Sequence, residues 1–215
     1  MVALLGASEK PRVTLMTALP LMWGEGTPAD VIAGRSGKSE TIKIIETQFD
    51  VRAIDTISAK TLGRDIAIIA QPRRLSPEEL VAFDKWLLGG GRAMIFADPE
   101  LVWPSIHALG DNRRAPPVEL LDPLFKHWGV TLGDSDQKAQ MVSINGVTVR
   151  LLASGVWQGP RACTAIVTEV LDCRIGRGHV LLVGDADLLD SRRWAAPHHD
   201  NMAWILSQMH RLAIK

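Results

Sequence analysis

From Asp65 to Pro99 the chain spells out one folding unit. DIAIIA (65–70) is a short apolar run, and a proline-containing loop leads from it into a helix marked at both ends. Ser76 caps that helix, Pro77 fits its first turn, and Glu79 completes a capping box. Leu80, Phe83 and Leu87, with Val81 and Leu88, form its expected apolar face, and Gly89 to Gly91 stop it. RAMIFADP (92–99) is a second buried strand. Strands of this kind alternating with helices predict a parallel sheet covered on both faces.

The rest of the first half repeats the pattern. RVTLMTALP (12–20) begins as a strand and stops at Pro20, SETIKIIETQF (39–49) sets Ile42, Ile45 and Phe49 on one helical stripe behind a Ser39 cap, and VRAID (51–55) is a short strand. Beyond residue 118 the order is looser. VELLDPLFKHWG (118–129) reads as an amphipathic helix ended by Gly129, and Asn145-Gly146 between β-rich runs predicts a hairpin over 141–153. CTAIVTEVLD (163–172) and GHVLLVGDADLL (178–189) read as two strands joined by the turn at 174–178. A helix over 200–213, with Asp200 or Asn201 as cap, closes the chain. The expected fold is a single α/β domain over residues 1–215, three-layered around a mostly parallel sheet, with an inserted antiparallel hairpin.

Composition narrows the function classes. Among 215 residues, 24 basic side chains balance 24 acidic ones and 47% are hydrophobic, which excludes a disordered chain and a polycationic nucleic-acid binder. No apolar run reaches the length of a membrane span, and Met1 to Ala7 is too short for a signal peptide's apolar region, so the expectation is a soluble chain with no membrane span. Cys163 and Cys173 have no second pair and no clustered histidines, and are read as two buried thiols. No cofactor or metal is expected.

Several motifs dissolve on inspection. Gly37-Lys38-Ser39 ends like a P-loop, but Ile32 stands where that motif needs glycine and no strand precedes it; a loop capping the next helix accounts for it. The pairs Arg73-Arg74, Arg113-Arg114 and Arg192-Arg193 lack interleaved aromatics and read as solvated loops, or as an anionic partner surface if the first and third share one sheet edge. Asp185, Asp187 and Asp190, followed by His198, His199 and Asp200, are the densest ionisable cluster. They suit turn and helix capping, and alternatively a divalent cation.

The segment 65–99, together with Leu19-Pro20-Leu21, LLDPLFKHWGV (120–130) and GHVLLVGDADLLD (178–190), resembles the auxiliary components of uncharacterised ABC-type transport systems, of the gliding-motility type. The resemblance implies a flavodoxin-like, class I glutamine-amidotransferase-like domain without amidotransferase chemistry, working beside a permease and an ATPase. It also implies association with the inner membrane or a periplasmic location; a cytoplasmic chain is the alternative. The residues agree on the chemistry: the turn after RAMIFA offers Asp98-Pro99-Glu100 where a nucleophile elbow needs Cys or Ser.

The expected function is a non-catalytic binding subunit of an ABC-type transport system. Ligands of open α/β sheets bind beyond the carboxyl ends of the strands. Here those ends carry Pro20, Trp23, Gln71, Arg73, Arg74, Asp98, Asp185 and Asp187, the candidate contacts for a partner chain or a peptide or glycan segment. Trp23, on an aperiodic loop, is either a core filler or an interface aromatic. The rival reading is a hydrolase using Asp98, or a metal-assisted enzyme using Asp185, Asp187 and His198.

Overall fold

The computed structural model describes residues 10–34, 36–134, 138–194 and 200–214. Its centre is a seven-stranded sheet in the order β2-β1-β3-β4-β11-β10-β9. β1 (Arg12–Thr17), β2 (Asp50–Ala53), β3 (Ile66–Ala70), β4 (Arg92–Phe96) and β11 (Gly178–Val183) run parallel, while β10 (Val170–Ile175) and β9 (Cys163–Val167) are antiparallel additions at one edge.

Alternation along the strands sorts side chains onto two cores, as the pleat requires. Ile66, Ile68, Met94, Phe96, Leu181 and Val183 face one layer, built by α2 (Glu40–Gln48) and α6 (Asn201–Ala213). Ala67, Ile69, Ala93, Ile95, Val180 and Leu182 face the other, built by α3 (Ala59–Leu62), α4 (Pro77–Leu88) and α5 (Asp122–Trp128). The three layers and the mostly parallel sheet agree with the sequence expectation. α1 (Pro28–Ile32) is a short turn of helix before the α2 cap.

Three local expectations need correction. CTAIVTEVLD is not one strand but the β9–β10 hairpin, folded back at Thr168-Glu169. That fold puts Cys163 opposite Cys173, and the two form a disulfide; spacing along the chain showed ten residues and no cross-strand register. On α4, Val81 and Leu88 are exposed and the buried positions are Glu79, Phe83 and Leu87, because only one stripe of so short a crossover helix reaches the sheet. Of the predicted cluster, His198 and His199 lie outside the described residues.

The hairpin β6 (Ala139–Ile144) and β7 (Val147–Leu152) turns at Asn145-Gly146, where φ is 53° and 80°. It forms a separate sheet whose Ile144, Val149 and Leu151 join the α6 core. Asn201 pins it there, accepting the Arg150 N–H (2.8 Å) and donating to the Arg150 carbonyl (3.0 Å). A small pair, β5 (Thr131–Gly133) and β8 (Val156–Gln158), closes the opposite side. No described helix is long and apolar enough to cross a membrane.

Candidate functional site

The chain leaves β1 for β2 on one side and continues to β3 on the other, so strand order reverses at β1. A crevice of about 200 Å³ opens beside this point, at the carboxyl ends of β1 and β2. Thr17, Pro20 and Met22 form its floor, Ile54 and Asp55 one wall, and Trp23 and Arg113 its rim. Trp23 is 65% exposed, so the core-filler alternative is set aside. Its loop is nonetheless fixed: the Ser36 hydroxyl donates to the Trp23 carbonyl (2.7 Å) and accepts the Gly26 N–H (3.1 Å). Gly24 lies at φ 67°, and a Cβ there would stand 2.4 Å from Ser36 Oγ. A side chain there would be strained at this φ and would have to displace the Ser36 hydroxyl that pins the loop.

Arg73 does not face outward as a free cation. It forms a fork with Glu79 (2.9 and 2.8 Å) and donates to the Asp55 carbonyl, fastening the crevice wall to the start of α4. Glu79 also accepts the N–H groups of Ile57 (3.0 Å) and Ser76 (2.9 Å), and the Arg73 bond, ahead of these, lowers its pKa to about 2. Arg192 and Arg193 are likewise held by Asp190, and Arg113 by Asp111. The arginine pairs at 73–74 and 192–193 do share the carboxyl edge. Of these four side chains, Arg74 alone has no hydrogen bond or ion pair among the described residues.

Behind the crevice the strand ends are joined by buried polar groups. Gln71, at φ 39° and fully enclosed, donates to the carbonyls of Asp98 (3.2 Å) and Pro116 (3.0 Å) and accepts the Asp98 N–H (2.9 Å). Asp98 receives N–H groups from Glu100, Ala186 and Asp187, Asp185 from Leu152 and Leu188, and Asp187 from Val102. The three carboxylates are essentially unexposed, and one oxygen from each lies within 4.8 Å of the others. Burial pushes Asp98 up to about 7, with the Asp187 charge adding to it, and pushes Asp187 up to about 6. Burial and then the Asp98 charge carry Asp185 well above the carboxylate range.

These three could hold a cation, and Asp187 Oδ1 has no hydrogen-bond partner. Six backbone N–H groups already engage the other oxygens of these carboxylates, however. That arrangement ties together the β4 and β11 ends, the hairpin and the 99–118 loop.

Residues 10–144 match the family model described as an ABC-type uncharacterized transport system. The chain belongs to this family of auxiliary components. No curated protein matches it by sequence. Among solved structures, the mmIFT52 N-terminal domain is similar at 9% identity and a TM-score of 0.61, covering 95% of this chain and 97% of that one. Part of the exo-beta-1,4-mannosidase Op5Man5 from Opitutaceae bacterium strain TAV5 aligns at 11% identity and a TM-score of 0.50, over 96% of this chain and 35% of the enzyme. The catalytic mutant of Gan42B, a GH42 beta-galactosidase from G. stearothermophilus, aligns at 13% and 0.51, over 94% and 30%. The chain thus spans about a third of each glycosidase, and at these identities the likeness is one of fold.

For the auxiliary component, then, the structure splits the eight sequence candidates. Pro20 and Trp23 line the crevice and Arg74 is exposed on the loop after β3, while Gln71, Arg73, Asp98, Asp185 and Asp187 act on the protein's own backbone or side chains. Sequence reasoning missed Arg113 as a rim residue and Asp98 as the third member of the acid cluster. The first sits in an aperiodic loop. The second needed the pairing of β4 with β11, which places Phe96 opposite Val183.

Proposed function

We propose that this chain is a non-catalytic auxiliary subunit that engages a partner chain of its ABC-type transport system at the carboxyl edge, around Trp23. The observation that carries the reading is the contrast at that edge: a large aromatic stands 65% exposed on a pinned loop at the crevice mouth, while the carboxylates that could do chemistry are engaged by backbone N–H groups. The strand order 2-1-3-4-11 supports a flavodoxin-like scaffold, while the relation to class I glutamine amidotransferases and the gliding-motility type rest on the resemblance of segment 65–99. Asp98-Pro99-Glu100 occupies the place of the elbow, with neither Cys nor Ser. The Cys163–Cys173 disulfide supports a location outside the reducing cytoplasm, beside the permease rather than the ATPase.

The test is capture of the permease and ATPase subunits by tagged chain. Trp23→Ala should remain folded and lose capture, and Arg74→Ala should weaken it. Full capture by folded Trp23→Ala would move the contact elsewhere. A peptide or glycan ligand in the same crevice would instead be displaced from Trp23 without loss of the partner. The raised carboxyl groups of Asp98 and Asp187 favour a second reading, a hydrolase, and glutaminase or esterase turnover abolished by Asp98→Asn would establish it.

A further inference from the structure

The sheet edge opposite the crevice carries a feature that the proposed role does not use. The segments leading into β1, β3 and β4 enclose two adjoining hollows of about 370 and 280 Å³, which share Arg64, Asp65 and Arg92 in their walls. Lys85 and Trp86 line the first, Lys10 and Arg12 the second. Five cations thus face one carboxylate, on a chain whose total charges balance.

The single carboxylate is already engaged. Thr14 donates to Asp65 (3.3 Å), and Arg12 lies 3.7 Å from it. Lys10 and Arg92 rest on the carbonyls of Glu46 (2.6 Å) and Ile214 (2.7 Å), which orient them without neutralising them. Arg64 and Lys85 are exposed and have no hydrogen bond or ion pair among the described residues. The carboxyl end of α4 borders the first hollow, and its dipole alone would favour a cation there. Its carbonyls are taken, however: those of residues 85 to 88 accept N–H groups from Gly89, Gly91, Gly90 and Arg177.

We propose that this groove binds a phosphate-bearing anion. Holding like charges together costs self-repulsion, which an anion of more than one charge relieves. A phosphate monoester carries about −1.5 to −2 at neutral pH. Arg64 and Arg92 offer guanidinium forks that match its oxygens, Lys85 adds a point charge, and a volume near 370 Å³ fits a small phosphorylated compound or a headgroup.

Calorimetric titration with inorganic pyrophosphate and co-sedimentation with phosphatidylcholine vesicles, with and without phosphatidylglycerol, test the proposal. Saturable binding that Arg64→Ser/Lys85→Ser weakens by about tenfold or more, and that Lys138→Ser/Arg161→Ser leaves unchanged, is the expected result. Pyrophosphate binding without vesicle binding identifies a soluble phosphate compound as the source. Sedimentation with the anionic vesicles, lost in the same Arg64/Lys85 variant, identifies a lipid headgroup. Absence of saturable binding to either probe, or equal weakening in the Lys138/Arg161 pair, overturns the proposal. Permease capture through Trp23 is a separate readout, so the two readings fail independently.

Discussion

Replacing Glu79 by Gln should cost the fold about 2 kcal/mol at neutral pH, and most of that cost should vanish in acid. The carboxylate is 7% exposed and accepts from Arg73 twice, from Ser76 and from Ile57. Its pKa falls from the usual 4.5 to about 2, with the Arg73 hydrogen bond as the largest cause. At roughly 1.4 kcal/mol per unit, that depression is worth ~3 kcal/mol, and the 48% exposure of Arg73 trims it toward ~2.

The sign follows from linkage. A carboxyl group depressed in the folded state stabilises fully above its unfolded pKa near 4.5, and the contribution disappears as pH falls through about 2. By about pH 3 more than half of it should be gone. Urea unfolding of wild type and Glu79→Gln, followed by tryptophan fluorescence at pH 7 and pH 3, reads both values. A gap that is absent at pH 7, or the same at both pH values, would refute the argument that the ion pair fastens the crevice wall to α4.

The acid cluster should behave in the opposite sense. Asp98 and Asp187 hold protons to about 7 and about 6, so the stability they confer is full below about pH 4 and lost as pH rises through 6 to 7. Asp187→Asn, which keeps an acceptor for Val102 and removes one buried charge, should flatten that decline and unfold no more easily than wild type at pH 8; a variant markedly less stable at pH 8 counts against it. Reducing the disulfide, or Cys163→Ser/Cys173→Ser, should lower stability by roughly 2–3 kcal/mol, read as a melting-temperature drop with dithiothreitol that the double variant no longer shows. Gly178→Ala should be severely destabilising, because its Cβ would lie 2.1 Å from the Leu87 carbonyl, backbone that cannot step aside; a wild-type melting temperature would show that α4 can shift off β11.

What the sequence made legible was whatever is local. The Ser76–Glu79 capping box, the Ser39 and Asp200 caps and the Asn145-Gly146 turn all form as their spacing predicts, since each needs only neighbours within four residues. The Cys163–Cys173 bridge, the union of Asp98 with Asp185 and Asp187, and the folding of β9 onto β10 depend on which strands lie side by side. Arg73 shows the same limit at the site. As half of an arginine pair it reads as solvated, and only the juxtaposition of the β2–α3 loop with α4 gives it Glu79 and the Asp55 carbonyl as partners. Trp23 needed no partner to be noticed, because an aromatic in an aperiodic loop is itself the signal.

A zero net charge hides a division that the topology imposes. Where parallel strands end and helices begin, backbone N–H groups lack intrahelical partners, so carboxylates are useful there; at the other edge helices end in carbonyls, and cations are favoured. Glu79, Asp98, Asp185 and Asp187 follow the first rule, and Arg64, Lys85 and Arg92 gather where the second applies. These carboxylates are buried and engaged by the protein's own backbone N–H groups and, for Glu79, by Arg73, so any partner at the carboxyl edge must be held by what remains exposed there, Trp23 and Arg74 first among them. At the amino edge the last carbonyls of α4 are taken instead, and Arg64 and Lys85 stay without a partner among the described residues. That asymmetry makes the amino edge, with several cations, the place where this chain's binding should depend most on salt, and the carboxyl edge, with Trp23 and the single Arg74, unpaired among the described residues, the place where it should depend less.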